Sequence, residues 1–371
     1  MAGSIYGKIF QVSTWGESHG KGIGVVIDGC PAGLPLSEED IQIYLNRRKP
    51  GQSQFTTMRK ESDEAEIMSG VFEGKTTGTP ISIVIRNQDQ RSRDYGNIMN
   101  TYRPGHADFT FDQKYGFRDY RGGGRSSGRE TAGRVAAGAV AAKILKELGI
   151  EILTYTKAIG PVSVPEKEYD FTQINQNKLY MPNAEYAQQA SDYLEKCMQE
   201  QDSSGGIIEC VVTGLPAGLG DTVFDKLDAN LAKAMLSIGA VKGFEIGDGF
   251  AAATAKGSEN NDAFCSKNGQ IHKVTNHAGG TLGGMSDGSP LTFRVAVKPT
   301  PSISQVQETV DKDGNPVELT ITGRHDPVIV PRAVVVVEAM AAITIVDLLF
   351  TNMSARMDSI TNFYSSIPSS C

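Results

Sequence analysis

The sequence has few cysteines, and their number and spacing exclude two common ways of stabilising a fold. Five cysteines occur among 371 residues, at positions 30, 197, 210, 265 and 371. The count is odd and there is no Cys-x-x-Cys pair, so neither a disulfide framework nor a zinc site is indicated. We therefore expect a protein of a reducing compartment.

The sequence also lacks a signal peptide and a clear membrane span. Its N-terminal segment, MAGSIYGKIFQVSTWGESHG, has no apolar stretch of the signal-peptide kind. One apolar run, residues 333–350, is nearly of spanning length but contains Glu338 and Asp347. Each acidic residue would cost about 2.5–3.5 kcal/mol at the bilayer centre. We expect instead a buried core helix with Pro331 near its first turn, in a cytoplasmic protein with no membrane partner.

Positive charge is scarce overall and concentrated in one region. The formal net charge is −7, which argues against general nucleic-acid binding. Yet six arginines fall within 32 residues, at positions 103, 118, 121, 125, 129 and 134. Arginine concentrated in an acidic protein indicates a small anionic ligand held by bidentate guanidinium groups. The length allows a large core, in one large domain or in two.

The most informative segment is RGGGRSSGRETAGR, residues 121–134, which precedes an Ala-rich helix. Glycines let backbone N–H groups approach a ligand, and a helix start adds partial positive charge, so the segment predicts an anion pocket. Ser127 and Glu130 have capping-box spacing, which predicts a helix over 127–148 that ends at Gly149. The alternative is a disordered Arg/Gly-rich RNA-binding tail, but the run is short and internal.

Three of the five histidines lie in polar turns close to an acidic residue. They are His19 in GESHG, His106 in RPGHAD and His325 in GRHDP. A single histidine is more often a structural hydrogen-bond donor, but histidine with a nearby carboxylate is also suited to proton transfer near neutral pH. No metal site is expected, because neither H-x-x-x-H nor H-E-x-x-H occurs.

Two further turns and two glycine-rich segments also have backbone that a ligand can approach. KPTPS, residues 298–302, ends an alternating strand with a rigid corner, and RRKPGQS, residues 47–53, follows a helix. Either could be an ordinary exposed turn. The Gly-rich segments 237–249 and 279–288 match neither G-x-G-x-x-G after a strand nor a Walker A motif, so Rossmann and P-loop sites are not expected.

An internal repeat suggests two similar halves. VVIDGCPAGL, residues 25–34, matches CVVTGLPAGL, residues 210–219, at six of ten positions. Each copy follows a strand-like run and precedes a helix-like segment; chance similarity of two Gly/Pro turns is the alternative. Strands are predicted at 8–14, 24–28, 81–86, 207–213 and 291–297, and helices at 37–47, 127–148, 184–199, 224–238 and 332–352. Residues 165–201 and 256–273 look like surface excursions, the second of them loop-like.

From the residues alone, we infer a pocket with several arginines, two or three histidines and one His–Asp pair. Such a pocket suits an enzyme that acts on a phosphorylated and carboxylated small molecule, together with a phosphate-bearing cofactor.

Six segments in this order resemble the chorismate synthases: GESHG, RPGHAD, DYRGGGRSSGRETAGRVAAGAVA, SIGAVKGFEIGDG, KPTPS and GRHDP. The resemblance runs from residue 4 to about residue 355. It implies a lyase that converts 5-enolpyruvylshikimate 3-phosphate to chorismate and phosphate by 1,4-anti elimination, the last step of the shikimate pathway. The family needs reduced FMN, which is thought to lend an electron transiently to the substrate.

The resemblance also implies roles for individual residues. His19 would protonate or stabilise the leaving phosphate, His106 would stabilise the reduced flavin near N1, and Asp326 would help flavin N5 take the C6 proton. Substrate anions would be bound mainly by Arg48, Arg103, Arg129, Arg134 and Arg324, with Ser18 and Ser127 in a supporting polar network. The flavin site would use Arg125, Ser126, Ser127, Gly239, Ala240, Gly283, Lys298, Pro299, Thr300, Pro301, Ser302 and Arg324.

The implied fold is α+β, a β-α-β sandwich of antiparallel or mixed sheets around core helices, with an internally duplicated strand-turn-helix unit. We expect residues 1–371 to form a single domain, with halves of roughly 1–160 and 200–355, that assembles as a homotetramer. The synthase match accounts for the length, so we expect an external flavin reductase or other reductant. Gln54 stands where many relatives have arginine, which argues against an NADP contact there. A flavin-dependent oxidoreductase is the main rival, and an Arg/Gly-rich nucleic-acid binder a more distant one.

Overall fold

The computed structural model describes residues 3–52, 54–56, 61–88, 98–321 and 326–367. A first antiparallel sheet occupies the N-terminal region. Its strands and one adjoining hairpin are β1 (Ile5–Tyr6), β2 (Gln11–Gly16), β3 (Gly22–Asp28), β4 (Ala65–Ser69), β5 (Val71–Phe72), β6 (Lys75–Thr76) and β7 (Ile81–Arg86). The order within the sheet is β1-β2-β3-β7-β4, and β5 pairs with β6.

A second antiparallel sheet follows in the chain. Its strands are β8 (Glu151–Ile159), β9 (Val162–Ser163), β10 (Gly206–Thr213), β11 (Val241–Ile246) and β16 (Leu291–Val297), in the order β11-β16-β10-β8-β9. Separate hairpins are formed by β12 (Phe264–Lys267) with β13 (Gln270–Lys273), β14 (Thr281–Leu282) with β15 (Met285–Ser286), and β17 (Val306–Val310) with β18 (Pro316–Thr320). The β12–β13 hairpin lies where the sequence predicted only a loop.

Eight α-helices are described, and two of them lie between the two sheets. In chain order they are α1 (Glu38–Arg48), α2 (Asp108–Tyr115), α3 (Thr131–Glu147), α4 (Ala184–Gln199), α5 (Leu227–Leu236), α6 (Gly257–Asn260), α7 (Val330–Asn352) and α8 (Met357–Ser365). Helix α3 packs on the first sheet, α7 packs on the second, and α3 and α7 pack on each other, flanked by α1 and α5. The predicted β-α-β sandwich is therefore confirmed.

The contact between α3 and α7 is unusually close. An ideal Cβ at Gly138 of α3 would lie 2.2 Å from the Cβ of Ala339 of α7. Helix α7 is long and apolar enough to cross a bilayer, but 83% of its most apolar window is buried within the protein. It is therefore a core helix, as the acidic residues Glu338 and Asp347 predicted.

The repeated sequence segments build the same turn in both halves. In the first, the Thr76 hydroxyl donates to the Pro31 carbonyl at 2.6 Å and accepts from the Leu34 N–H. In the second, the Ser286 hydroxyl donates to the Pro216 carbonyl at 2.5 Å and accepts from Leu219. Each turn links a central strand to a helix, β3 to α1 and β10 to α5. The repeat is thus a duplicated structural unit.

The bounds predicted for the halves, 1–160 and 200–355, remain a prediction. Strand β8 pairs with β10 and so belongs to the second sheet, although it precedes residue 160.

The start of α3 differs from the prediction. Two short 3-10 turns, Gly124–Ser126 and Gly128–Glu130, precede a helix that begins at Thr131 rather than at residue 127. Ser127 does accept from the Arg129 N–H, but the Glu130 carboxylate accepts from Arg134 Nε at 3.0 Å instead of closing a capping box. A side-chain ion pair therefore replaces the predicted local cap.

Asp347 anchors the N-terminal segment to α7. Its carboxylate accepts from the backbone N–H groups of Lys8, Ile9 and Phe10 at 2.7–3.0 Å. These donors have no strand partner in the turn between β1 and β2, so the buried carboxylate satisfies them. The contact fixes the turn that follows residues 3–6, which form part of the cavity wall described next.

Candidate active site

A large cavity opens where loops from both halves of the chain meet. Its volume is about 1450 Å³, whereas a pocket for one small ligand is typically about 300–1,000 Å³. The wall is made by the GESHG turn after β2, the segment 103–107 with α2, the glycine loop (residues 121–130), the loop between α5 and β11, the loop after β16, and the start of α7. The cavity has room for two ligands side by side.

The cavity is strongly cationic, although the protein is acidic. Among the described residues, the wall contains nine cationic side chains: Arg48, Arg103, Lys114, Arg125, Arg129, Arg134, Lys233, Lys298 and Arg332. It contains only three carboxylates, Glu61, Glu130 and Asp326, together with His19 and His106. This excess of positive charge favours ligands with several anionic groups.

His19 lies in a tight turn that the glycine loop covers. The Gly20 N–H donates to the Glu17 carbonyl at 3.1 Å, and the Asn87 amide donates to the carbonyls of Glu17 and Gly20, each at 2.9 Å. Ser18 is buried beside it. A Cβ at Gly122 would lie 2.5 Å from His19 Cδ2 and 2.7 Å from its Nε2, so only glycine leaves room for the ring here.

The glycine loop is fixed by its own polar side chains. The Arg125 guanidinium donates to the Gly16 carbonyl at 3.0 Å and to the Thr14 hydroxyl at 2.8 Å, which ties the loop to β2. Ser126 donates to the Gly123 carbonyl at 2.7 Å. At Gly128 a Cβ would meet nothing within 4 Å, so the backbone there is open. Arg125 thus anchors the loop in addition to lining the cavity.

His106 is held as a neutral imidazole. Its Nδ1 is 3.0 Å from the Pro104 carbonyl oxygen, which can only accept, so Nδ1 carries the hydrogen. Its Nε2 is 2.9 Å from the Ser302 hydroxyl and accepts from it in this tautomer. Burial, reinforced by the positive charge of Arg103, lowers the pKa of His106 to about 4.

We expect the His106 signal to titrate near pH 4 in an ¹⁵N NMR experiment, assigned by comparison with His106→Gln. Because the folded-state pKa is depressed, the unfolded chain takes up this proton first as the pH falls below about 6.5. Above about pH 6.5 both states hold His106 neutral, and its protonation costs no stability. As the pH falls from about 6.5 toward 4, protonation of the unfolded chain lowers the free energy of unfolding. A titration midpoint at or above 6.5 in the ligand-free protein would contradict this assignment.

Two loops of the second half lie beside His106. The Lys298 N–H donates to the Ala240 carbonyl at 2.9 Å, and the Lys298 ammonium donates to the Gly105 carbonyl at 2.8 Å. Burial and the nearby charge of Lys242 lower the pKa of Lys298. A Cβ at Gly239 would meet nothing within 4 Å, and the buried Thr300 hydroxyl has no hydrogen-bond partner among the described residues.

Most cavity arginines are already held by a protein partner. Arg103 forms a bidentate pair with Asp108, with both side-chain contacts at 2.8 Å. Arg134 bridges α3 to the end of α5, donating to the Ser237 hydroxyl at 2.7 Å and to its carbonyl at 3.1 Å. Arg48 and Arg129 share the buried carboxylate of Asp63. The guanidinium groups are thus fixed in orientation before any ligand binds.

Asp326 lies at the start of α7 and is paired with a cation. Arg332 Nη1 donates to its carboxylate at 2.6 Å, and Arg332 Nε donates to the Arg48 carbonyl at 3.0 Å. Burial lowers the pKa of Arg332 against the opposing effect of Asp326. This pair links the acid at the α7 end of the cavity to the arginine cluster.

The cavity brings together most of the residues singled out from the sequence. All three proposed catalytic residues line it, as do Ser18, four of the five proposed substrate-binding arginines, and the cofactor residues Arg125, Ser126, Ser127, Gly239, Ala240, Lys298, Thr300, Pro301 and Ser302. Pro299 is not in the wall, although both its neighbours are. Gly283 lies in the β14–β15 turn, outside the cavity wall. Arg324, like His325, lies outside the described residues.

Several residues of the site were not identified from the sequence, among them Asp63, Asn87 and Arg332, which hold other residues of the cavity in place. Asn87 Oδ1 accepts from Arg129 Nε at 2.9 Å while its amide holds the His19 turn. Asp63 follows the basic turn RRKPGQS, and an acidic residue so close to a cationic cluster was the one available signal. Asn87 carries no local signal, because its partners are distant in sequence. Arg332 lies six residues after Asp326, a proximity that the prediction from sequence did not use.

Comparison with known proteins gives one consistent result. The sequence model of a family described as "Chorismate synthase" matches residues 10–350. Chorismate synthase of Agathobacter rectalis is 68% identical over 364 residues, covering 98% of this chain and 99% of the relative. That of Lachnospira eligens is 65% identical, covering 98% and 100%. A crystal structure of a chorismate synthase superposes with a TM-score of 0.76 at 34% identity, covering 97% of both chains.

Proposed function

The chain belongs to the chorismate synthase family, and from this premise we propose how its cavity is divided between a reduced flavin and the substrate. The enzyme is a carbon–oxygen lyase that converts 5-enolpyruvylshikimate 3-phosphate to chorismate and phosphate, the last step of the shikimate pathway. The main support for the proposal is the positive charge of the cavity wall, which has nine cationic and three acidic side chains among its described residues. The substrate alone supplies two carboxylates and a phosphate to match it.

The flavin side is proposed to lie against the loops of the second half. Gly239 has open backbone, the Thr300 hydroxyl is buried without a partner among the described residues, and Ser302 reaches His106. Together with Ser126 and Ser127 of the glycine loop, these residues fit a polar, partly planar ligand. Reduced FMN, when bound, supplies electron density transiently to the substrate in a reaction with no net redox change. The volume of the cavity supports two ligands bound together.

The substrate side is proposed to lie against the arginine cluster. Arg48, Arg103, Arg129 and Arg134 line the cavity with orientations fixed by their protein partners. A guanidinium with a fixed orientation loses little entropy when it binds a carboxylate or phosphate. Arg324, proposed as a further ligand-binding residue, lies outside the described residues.

Three residues are proposed to act on the reacting groups. His19, covered by Gly122, would protonate or stabilise the phosphate as it leaves. His106, whose Nε2 is 2.9 Å from the Ser302 hydroxyl, would lie beside the flavin and help to stabilise its reduced form. Asp326, held by Arg332, would assist loss of the hydrogen from C6.

We further propose that the enzyme is cytoplasmic, assembles as a homotetramer and takes reduced FMN from a separate reductase or other reductant. Helix α8 supports self-association, because none of its residues is buried and Met357, Phe363 and Tyr364 are exposed. Exposed apolar side chains gathered on one helix commonly mark a protein–protein contact.

An anaerobic assay tests the function and the cofactor together. We expect photoreduced FMN plus 5-enolpyruvylshikimate 3-phosphate to give phosphate and chorismate absorbance, with no turnover with oxidised FMN or with NADPH plus FMN. Turnover with NADPH would show an intrinsic reductase activity. Stoichiometric consumption of the reductant would favour a flavin-dependent oxidoreductase. A complete lack of turnover under reducing conditions would overturn the proposed flavin dependence.

A further inference from the structure

Asp63 is a buried carboxylate directly behind the cavity wall. It has no solvent exposure and does not itself line the cavity. One carboxylate oxygen accepts from Arg48 Nη2 at 2.7 Å and from Arg48 Nε at 3.2 Å, and the other accepts from Arg129 Nη1. A single side chain therefore holds two guanidinium groups that do face the cavity.

The two arginines have further contacts that complete their orientation. Arg48 Nη1 donates to the Gly128 carbonyl at 3.2 Å and to the Thr131 hydroxyl at 3.3 Å. Arg129 Nε donates to Asn87, and its Nη2 lies 3.6 Å from Glu61. Arg48 is 1% exposed and Arg129 is 5% exposed. Neither side chain has room to adopt many alternative conformations.

The backbone of Asp63 has a conformation that is unfavourable for a residue other than glycine. Its φ of +49° lies in the left-handed region, which a non-glycine residue adopts infrequently. Such a conformation persists where surrounding contacts determine it, and here the contacts are those of the carboxylate with the two arginines.

We propose that Asp63 is a positioning residue that sets Arg48 and Arg129 at the spacing and angle needed to bind the anionic groups of the substrate. The proposal rests on the proposed substrate side of the cavity. Two buried guanidinium groups repel each other, and a carboxylate between them offsets that repulsion. Both arginines line the cavity, and Arg129 Nη2 is buried with no hydrogen-bond partner among the described residues.

The electrostatics of the cluster agree with this geometry. Burial alone would raise the pKa of Asp63, but the charges of Arg48 and Arg129 outweigh it and hold the pKa below the usual value. The carboxylate is therefore ionised at neutral pH.

Asp63→Asn tests the proposal because it keeps the size of the side chain and removes its charge. An amide cannot accept from both arginines with the same geometry, since one side becomes a donor. We expect KM for 5-enolpyruvylshikimate 3-phosphate to rise by about 10–100-fold, because displacement of a binding group by about 1 Å can have effects of this size. We expect kcat to change by less than about threefold, and Kd for FMN, from flavin fluorescence, to stay within about twofold.

Glu209→Gln is the matched control. Glu209 is also a buried carboxylate, 4% exposed, paired with Lys157 at 3.2 Å and outside the cavity wall. It should lower thermal stability while leaving KM within about twofold of wild type. A purely structural role for Asp63 would give this same pattern, and an unchanged KM in folded Asp63→Asn would overturn the proposal.

Asp63→Gly is the second variant if the asparagine variant does not fold. Glycine suits the left-handed φ, which offsets part of the lost contacts. A raised KM that added formate lowers again, but chloride does not, would support the positioning role, and an unchanged KM would refute it. Wild-type turnover is measured in parallel, so failure of the proposed substrate would appear there first, independently of Asp63.

Discussion

Replacing His19 with alanine is expected to lower kcat by about 10²–10⁴-fold, the usual contribution of a positioned acid or base. The imidazole lies against Gly122 at the cavity wall, in a turn that Asn87 holds by two hydrogen bonds. Phosphate leaves with developing negative charge, and a nearby imidazole can donate a hydrogen bond or a proton to it. The measurement is single-turnover phosphate release under anaerobic conditions with photoreduced FMN.

His277→Ala provides the control for loss of an imidazole. His277 is paired with Asp248 at 2.7 Å and lies outside the cavity wall, so turnover should stay close to that of wild type. The expected loss in His19→Ala should appear with little change in the thermal unfolding midpoint, because the side chain is only partly buried. Phosphate release at the wild-type rate in His19→Ala would exclude a role in the departure of phosphate.

Gly138→Ala is expected to lower the stability of the protein strongly, although it adds only one methyl group. The new Cβ would lie 2.2 Å from the Cβ of Ala339 and 2.5 Å from its Cα, so α3 and α7 must move apart. Overpacking of a well-packed core typically costs about 1–3 kcal/mol, and here neither neighbouring atom belongs to a flexible side chain. We expect a lower unfolding midpoint in thermal denaturation, followed by circular dichroism.

The matched control is Gly257→Ala in α6, where a Cβ would meet nothing within 4 Å. Alanine has the higher helix propensity, so this variant should be at least as stable as wild type. If Gly138→Ala unfolds at the same temperature as Gly257→Ala, the close packing of α3 on α7 is not required for stability.

Local sequence patterns predicted strands and helices well where the apolar residues of the pattern are the residues that the fold buries. Strands β7 and β16 begin and end where alternating apolar residues predicted, because both are interior strands with one face buried. The start of α3 was wrong by four residues. The capping box is a local rule, and here Glu130 forms an ion pair with Arg134 that the rule does not consider.

The sequence predicted that arginines would converge on a ligand, but not what holds them. Asp63 is 15 residues from Arg48 and 66 from Arg129, and both contacts depend on the packing of α1 and α3. Likewise, nothing in the sequence around Arg125 predicts that its guanidinium contacts backbone carbonyls of β2. Sequence patterns can identify which charges face a ligand, whereas their partners follow from tertiary structure. Gly283, which the family resemblance assigned to the flavin site, lies outside the cavity wall and stays a prediction.

The meeting of both halves at one cavity has a consequence for how the chain could be divided. His19, His106 and the glycine loop come before residue 160, whereas Gly239, Lys298–Ser302 and Asp326 come after residue 200. A fragment with either half alone would carry half of a cavity and one member of the α3–α7 pair. Residues 165–201 are not the surface excursion that the sequence predicted, because α4 buries Ala187, Ala190 and Leu194 in the core. Fragment complementation with a break between the predicted halves would therefore report reassembly through enzymatic activity itself, since neither fragment contains a complete site.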